Sequence, residues 1–195
     1  GTFDPLAATA DLKLSIAAPR LADLHATHAL LPPLAGALTG TIQIDLQARS
    51  LHVVSQLAGR SLSGFGAAVD QVRADVDVRD LTGHAQIDVQ GARYGDQQIA
   101  QATLRARGND RDVDLQASAR ATVSGQALSA ELALRALPTY TPERRLSVLV
   151  VDLRSLALQR ERAAGVDRVN LLEPARVVLS DLLRAPTIET AAAQA

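Results

Sequence analysis

Between Thr41 and Arg49 the chain alternates without a break, Ile42, Ile44, Leu46 and Ala48 against Thr41, Gln43, Asp45, Gln47 and Arg49. Successive side chains of a β-strand point to opposite faces, so this stretch presents one aliphatic and one hydrophilic surface. The same period of two returns along the chain. Leu12, Leu14 and Ile16 alternate with Asp11, Lys13 and Ser15, and Val72, Ala74, Val76 and Val78 with Arg73, Asp75, Asp77 and Arg79. Ala85, Ile87 and Val89 follow, then Ala100, Ala102, Leu104 and Ala106, then Val113, Leu115, Ala117 and Ala119, then Leu128, Ala130, Leu132 and Leu134. Turn chemistry separates the runs, at Tyr94-Gly95-Asp96, Gly108-Asn109-Asp110, Ser124-Gly125 and Gly165. Short links favour antiparallel neighbours, and the spacing predicts a meander of roughly ten strands.

Some segments depart from this rhythm. From Pro19 to Leu31, Leu21, Leu24, His28 and Leu31 fall at helical spacing, Pro19 suits a first turn and Pro32-Pro33 ends it. The spacing predicts one short helix over 19–31, and a fainter helical signal covers 160–164. Runs at 146–154, 157–162 and 174–182 alternate less regularly, and a bulge or a strand covered on both faces would account for the apolar stretch Val148 to Val151. The ending over 186–195, closing on AAAQA, has the composition of a trailing tail. The whole of 1–195 is therefore expected to be a single repetitive β segment.

Composition sharpens the picture. The chain is 47% hydrophobic with a net charge of −1, which excludes the profile of a disordered or polyionic segment. Yet that apolar content is Leu, Ala, Val and Ile, with two Phe, two Tyr and no Trp or Met, whereas packed cores draw much of their contact area from rings. Basic residues are scattered among acidic ones, so there is no reason to propose nucleic acid. Without Cys there can be no disulfide framework or thiolate chemistry. No run reaches the roughly 18 apolar residues of a membrane-spanning helix, and the start at Gly1 has no signal-peptide pattern, so any membrane anchor is expected outside this fragment.

Candidate chemistry is sparse. His25 and His28 stand at i, i+3 but have no further ligand to complete a zinc site. His52 and His84 occupy polar slots on strands. Asp75, Asp77 and Asp80, like Asp110, Asp112 and Asp114, lack the glycine turn and distal Glu of a calcium loop. Gly64-Phe65-Gly66 ends in Val69 and opens no βαβ unit, so it is expected in a loop. No nucleophile elbow, phosphate loop or zinc-peptidase motif occurs, and neither an enzymatic activity nor a metal or other cofactor is expected. The Arg, Asp and Gln of the polar faces are expected to form cross-strand pairs that keep that surface wet.

A large sheet with one aliphatic face must cover it, at roughly 1.5–3 kcal/mol per large side chain, and one short helix is too small. It can fold on itself as a sandwich, close as a membrane barrel, or curl into a trough filled by hydrocarbon from a ligand. A barrel requires aromatic girdles that 2% aromatic residues cannot supply. Composition leaves the sandwich and the trough open.

The stretches ALLPPLAGALTGTIQIDLQ (29–47) and GARYGDQQIAQATLRARGNDRDVDLQASA (91–119), with the strand from Pro174 to Val178, resemble the repeat grammar of the TamB family of translocation and assembly module subunits, within the wider AsmA-like, bridge-like lipid transfer group. The resemblance implies a mostly β protein, an extended, twisted antiparallel sheet curled into an open hydrophobic groove (a β-taco) with one short α-helix near the N-terminus. It implies a periplasmic protein anchored to the inner membrane through a segment not present here. Phospholipid acyl chains would be its cargo, and an outer-membrane Omp85-class protein, TamA, the partner of the full-length protein in outer-membrane protein and autotransporter assembly. On this reading Ile42, Ile44, Leu46 and Val76 line the groove, with Ile87, Val89 and Leu104, and further along Val113, Leu115, Leu132 and Leu134. The alternatives are a β-augmentation scaffold or chaperone for outer-membrane strands, and a closed structural sandwich.

Overall fold

The structure is a computed structural model that describes residues 2–4, 9–23, 34–47, 50–142, 146–162, 165–180 and 187–192. These residues form a single thirteen-stranded sheet in which every pairing is antiparallel. The strands are β1 (Thr2–Asp4), β2 (Thr9–Ala18), β3 (Ala35–Gln47), β4 (Ser50–Gly64), β5 (Ala67–Arg79), β6 (Thr82–Tyr94) and β7 (Gln97–Gly108). They continue with β8 (Val113–Val123), β9 (Gln126–Tyr140), β10 (Leu146–Arg162), β11 (Gly165–Asn170), β12 (Ala175–Ser180) and β13 (Thr187–Ala192). Each strand from β1 to β10 lies beside its sequence neighbours, so the expected meander is present, with thirteen strands where about ten were expected. The sheet is open, with β1 at one edge and β13 at the other.

Tight turns set the order. Phe65-Gly66 (φ 53° and 78°), Asp80-Leu81 (50° and 67°) and Ser124-Gly125 (51° and 76°) each join two strands with both central residues in the left-handed region. This is the two-residue hairpin whose twist matches that of the flanking strands. The Asp80 turn is also tied to the neighbouring hairpin end: the Leu51 N–H and the Ser50 hydroxyl donate to its carboxylate at 2.9 and 3.0 Å.

At the far end, β11 and β12 are two halves of one line along the same edge of β10. β11 pairs with Ala157–Arg162 and β12 with Val148–Leu153. Between the partners Ala157 and Leu153 lie three residues on β10, whereas between Asn170 and Ala175 lie the four residues 171–174, one more, so the line bulges there. Pro174 suits that break because it has no N–H to donate. Register shifts on the β9 side at Leu146/Val148 and Leu153/Ser155 bracket the apolar run Val148 to Val151, but the run itself pairs without a shift on both sides, so no bulge within it accounts for its composition.

Two helical expectations are corrected. Of the predicted helix over 19–31, the described part is a bend at Pro19 and one turn at Leu21–Asp23, and 24–31 lies outside the described residues together with His25 and His28. Among the described residues there is no complete helix: Ala22 and Asp23 are helical, and the Leu21 N–H, one of the first-turn groups that a helix leaves unbonded, donates to the Gly36 carbonyl at 2.8 Å and ties this point to β3. The fainter signal at 160–164 gives way to strand, with Arg160–Arg162 in β10 paired to β11; 163–164 lie outside the described residues. Thr187–Ala192, within the stretch read as a tail, pairs with β12.

Candidate functional site: an uncovered aliphatic face

Residues directly opposite in neighbouring strands share a face, so the registers place every expected lining residue. Leu14, Ile42, Ser55, Val76 and Ala85 form one row across β2 to β6, which Ala106, Leu115, Leu134 and Leu153 extend to β10. Beside it, Leu12, Ile44, Val53 and Val78 form a second row, Leu46 pairs with Leu51, and Val113 pairs with Ala136. A third row runs through Leu57, Ala74, Ile87, Leu104, Ala117, Leu132 and Leu156, and a fourth through Val72, Val89, Ala102, Ala119, Ala130 and Leu158. Ile42, Ile44, Leu46, Val76, Ile87, Val89, Leu104, Val113, Leu115, Leu132 and Leu134 thus belong to one continuous aliphatic surface.

Sequence reasoning missed much of that surface on β4. Val53 and Leu57 face the same side, but Ser55 stands between them and Val54 pairs with Gln43 and Asp77 on the hydrophilic side. The signal was present as Leu51, Val53, Leu57 at odd positions, blurred by one polar and one apolar intruder.

Nothing in the described chain covers the surface. No hydrophobic side chain is buried, and Leu12, Leu14, Ile87 and Leu104 keep 37–45% of their area exposed. The chain's accessible surface of 13973 Å² compares with about 8,800 Å² for a compact monomer of 20.5 kDa. The excess of about 5,000 Å² agrees with a sheet that has one layer and no second one packed on it. Where side chains are small the surface is hollowed. Ile87, Val89, Leu104, Leu132 and Leu156 surround an open depression of about 480 Å³ over Ala102, Ala117, Ala119 and Ala130. A second, of about 430 Å³, adjoins it over Ala119, Ala121 and Ala130, with Leu128, Leu158 and Val169 at its sides.

The opposite face is held wet by cross-strand pairs. Across β7 to β12, Arg107, Asp114, Arg135, Asp152 and Arg176 stand directly opposite one another in alternating charge. Asp114 pairs with Arg154 at 2.8 Å, Asp152 with Arg176 at 2.6 Å, and Asp70 with Arg93 at 2.8 Å. Arg135 reaches diagonally to Asp112, its Nε donating at 2.6 Å, and this hydrogen bond above all holds the Asp112 carboxyl below its ordinary pKa and raises that of Arg135. Asp88 is lowered chiefly because the Gln86 amide donates to it at 2.7 Å, and next because the Thr103 hydroxyl does at 2.9 Å. Such exposed pairs are screened by water and contribute little stability, so they position and solubilise the face more than they stabilise it.

The residues weighed for metals have other roles. His52 Nε2 lies 2.9 Å from Asp77 while Arg79 donates to its Nδ1 at 3.3 Å, an arrangement that the Nε2–H tautomer satisfies. Asn109 closes the 109–112 loop on itself, accepting from the backbone N–H groups of Arg111 and Asp112 at 2.9 and 3.0 Å. Among the described residues no three His, Asp or Glu side chains gather as a metal cage.

Compared with family models, with curated proteins and with solved structures, the chain matches none.

Proposed function

We propose that the aliphatic face is the lining of a lipid-conducting groove. The sheet curls into an open trough, phospholipid acyl chains lie against Ile42, Ile44, Val76, Ile87, Leu104 and Leu132, and head groups stay in water at the open side. The observation that carries this reading is a continuous aliphatic surface, nine strands wide, that nothing in the described chain covers. Exposing that much contiguous hydrocarbon to water is costly, so a soluble chain keeps it only where something apolar occupies it. Lipid is the apolar partner that suits it best. A flexible chain conforms to an even Ala, Val, Leu and Ile surface, and the absence of polar grips lets it slide with small barriers.

No chemical step is involved, and the protein's work is transport of phospholipid between the inner and outer membranes of an envelope, in support of outer-membrane protein assembly. The chain is placed in the periplasm, held to the inner membrane by a segment outside it, with the Omp85-class TamA as partner of the complete protein. Native mass spectrometry of the protein extracted in mild detergent tests the cargo: co-purifying phospholipid is expected. Arg at Ile44 or Ile87 should block transport in a complementation assay while leaving the chain folded. Full complementation by both variants would remove the groove's support.

A second reading has one observation in its favour. Among the described residues β11 pairs with β10 alone, while the adjoining β12 carries β13 on its other side, so among the described strands the same line is occupied over one half and open over the other. An open edge can take an extended strand by main-chain pairing, which is how a scaffold for outer-membrane strands would work. Proline in β11 should then impair assembly more than Arg in the lining does.

A further inference from the structure

The alternation slips by one residue in four consecutive strands, and the slips are aligned. Gly59 and Leu62 lie three apart on β4, and so do Val69 and Val72 on β5, Val89 and Ala92 on β6, and Ile99 and Ala102 on β7. In a regular strand such pairs point to opposite faces. Here the registers put both members on the aliphatic face: Leu62 pairs with Val69, Val69 with Ala92, Ala92 with Ile99, and Ile99 with Ala121, which belongs to the uninterrupted face of β8. Each of the four strands carries one extra residue at the same level, so pairing from β4 to β7 keeps its register. The mismatch is discharged only at the flanks, where β3 shifts at Ala35/Ala37 and β7 against β8 at Ile99/Gln101. The backbone marks the line with left-handed residues, Gly36 (φ 110°), Ser61 (51°) and Gly91 (65°).

Such insertions bend strands, and one contact gives the direction. A Cβ built on Gly59 would stand 2.7 Å from the Leu62 Cδ1 and 2.8 Å from the Val72 Cγ1. Leu62 therefore reaches back over Gly59 on the aliphatic side, and among the residues whose burial is described Gly59 alone is buried. A straight strand holds residues three apart about 10 Å from one another, so β4 turns sharply toward that side at Arg60–Ser61. On β6, a Cβ at Gly91 would fall 2.1 Å from the Asp70 Oδ2, so the crease also depends on a glycine there.

We propose that this crease makes the ends of the β4–β5 and β6–β7 hairpins a lip, which overhangs the aliphatic face and shields bound hydrocarbon from water through Leu62. The role rests on the lipid-groove reading; the bend does not. It differs from general curling of the sheet because it is local to β4–β7 and is absent from β8 and β9.

Spin labels test it cleanly, since the chain has no native Cys. Labels at Leu51→Cys and Ser63→Cys span twelve residue steps of β4, and labels at Ala127→Cys and Thr139→Cys span twelve of the uncreased β9; straight strands would separate either pair by about 40 Å. The β4 distance is expected to be clearly the shorter and to lengthen in Gly59→Ala and Gly91→Ala. Equal β4 and β9 distances would overturn the crease. Palmitate binding is then compared in the unlabelled protein, in Leu62→Ala and in Val54→Ala, a control on the opposite, hydrophilic face of the same strand. Leu62→Ala is expected to bind several-fold more weakly and Val54→Ala nearly as well as wild type. Unchanged binding by Leu62→Ala would overturn the shielding role, and no palmitate binding by any form would sink the groove reading with it, while the label distances still decide the bend.

Discussion

Ile87 offers the sharpest discrimination between an uncovered face and a hidden core. It sits at the centre of the aliphatic surface, opposite Ala74 and Leu104, with 37% of its area exposed. Ile87→Ala removes three carbons, worth about 2.4 kcal/mol if fully buried at roughly 0.8 kcal/mol per methylene. Scaling by the covered share brings this to about 1.5 kcal/mol, and residual burial in the unfolded chain lowers it to about 1 kcal/mol. No cavity penalty is added, because water or lipid fills the gap. In a sealed core the same change costs about 2–5 kcal/mol. Ile87→Arg widens the contrast. From an open face its stem lies along the apolar surface and its guanidinium reaches water, for a loss of about 1 kcal/mol. Under a second layer it would strand a charge and abolish folding. Urea unfolding followed by circular dichroism reads both variants. A loss above about 3 kcal/mol for Ile87→Ala, or an unfolded Ile87→Arg, would refute the open face.

Other outcomes follow from local geometry. Thr103→Val removes one of the two hydroxyl or amide donors to Asp88, so the Asp88 carboxyl should titrate closer to its ordinary range, read by carboxyl NMR. Asp88, Asp112 and Asp152 all titrate below their ordinary pKa, so their ionised forms favour the folded state. That contribution is complete above about pH 4 and is lost as pH falls through the lower folded values; acid unfolding should begin there, and a melting temperature unchanged down to about pH 2 would contradict it. Leu81 holds φ 67° at a hairpin tip while 55% exposed, so Leu81→Gly should stabilise by about 0.5–1 kcal/mol in thermal unfolding, relief of strain outweighing the added chain entropy. Gly83→Ala should cost roughly 1–3 kcal/mol, because its Cβ would meet the Asp77 carbonyl oxygen at 2.1 Å and the backbone must shift.

Period-two patterning determined by itself that this chain is strand, which residues share a face and that neighbours pair antiparallel, because alternation and short glycine turns are local properties. That the residues from Ile42 to Leu134 share one aliphatic face was legible for that reason. The predicted helix after Pro19 lies mostly outside the described residues, and in its described part the Leu21–Gly36 bond joins residues fifteen apart, a contact that helical spacing does not announce. Strand β4 escaped notice because Val54 and Ser55 exchange the expected polarity, and only pairing to β3 and β5 shows which side each takes. Whether the aliphatic face is covered lies wholly in the tertiary arrangement. An alternating strand is equally at home in a sandwich or a single layer, and only the order of thirteen strands in one open sheet left the face bare. The crease is of the same kind: one extra residue in a strand looks like noise in the pattern, and it becomes a line across the sheet only when four strands bring their slips to the same level.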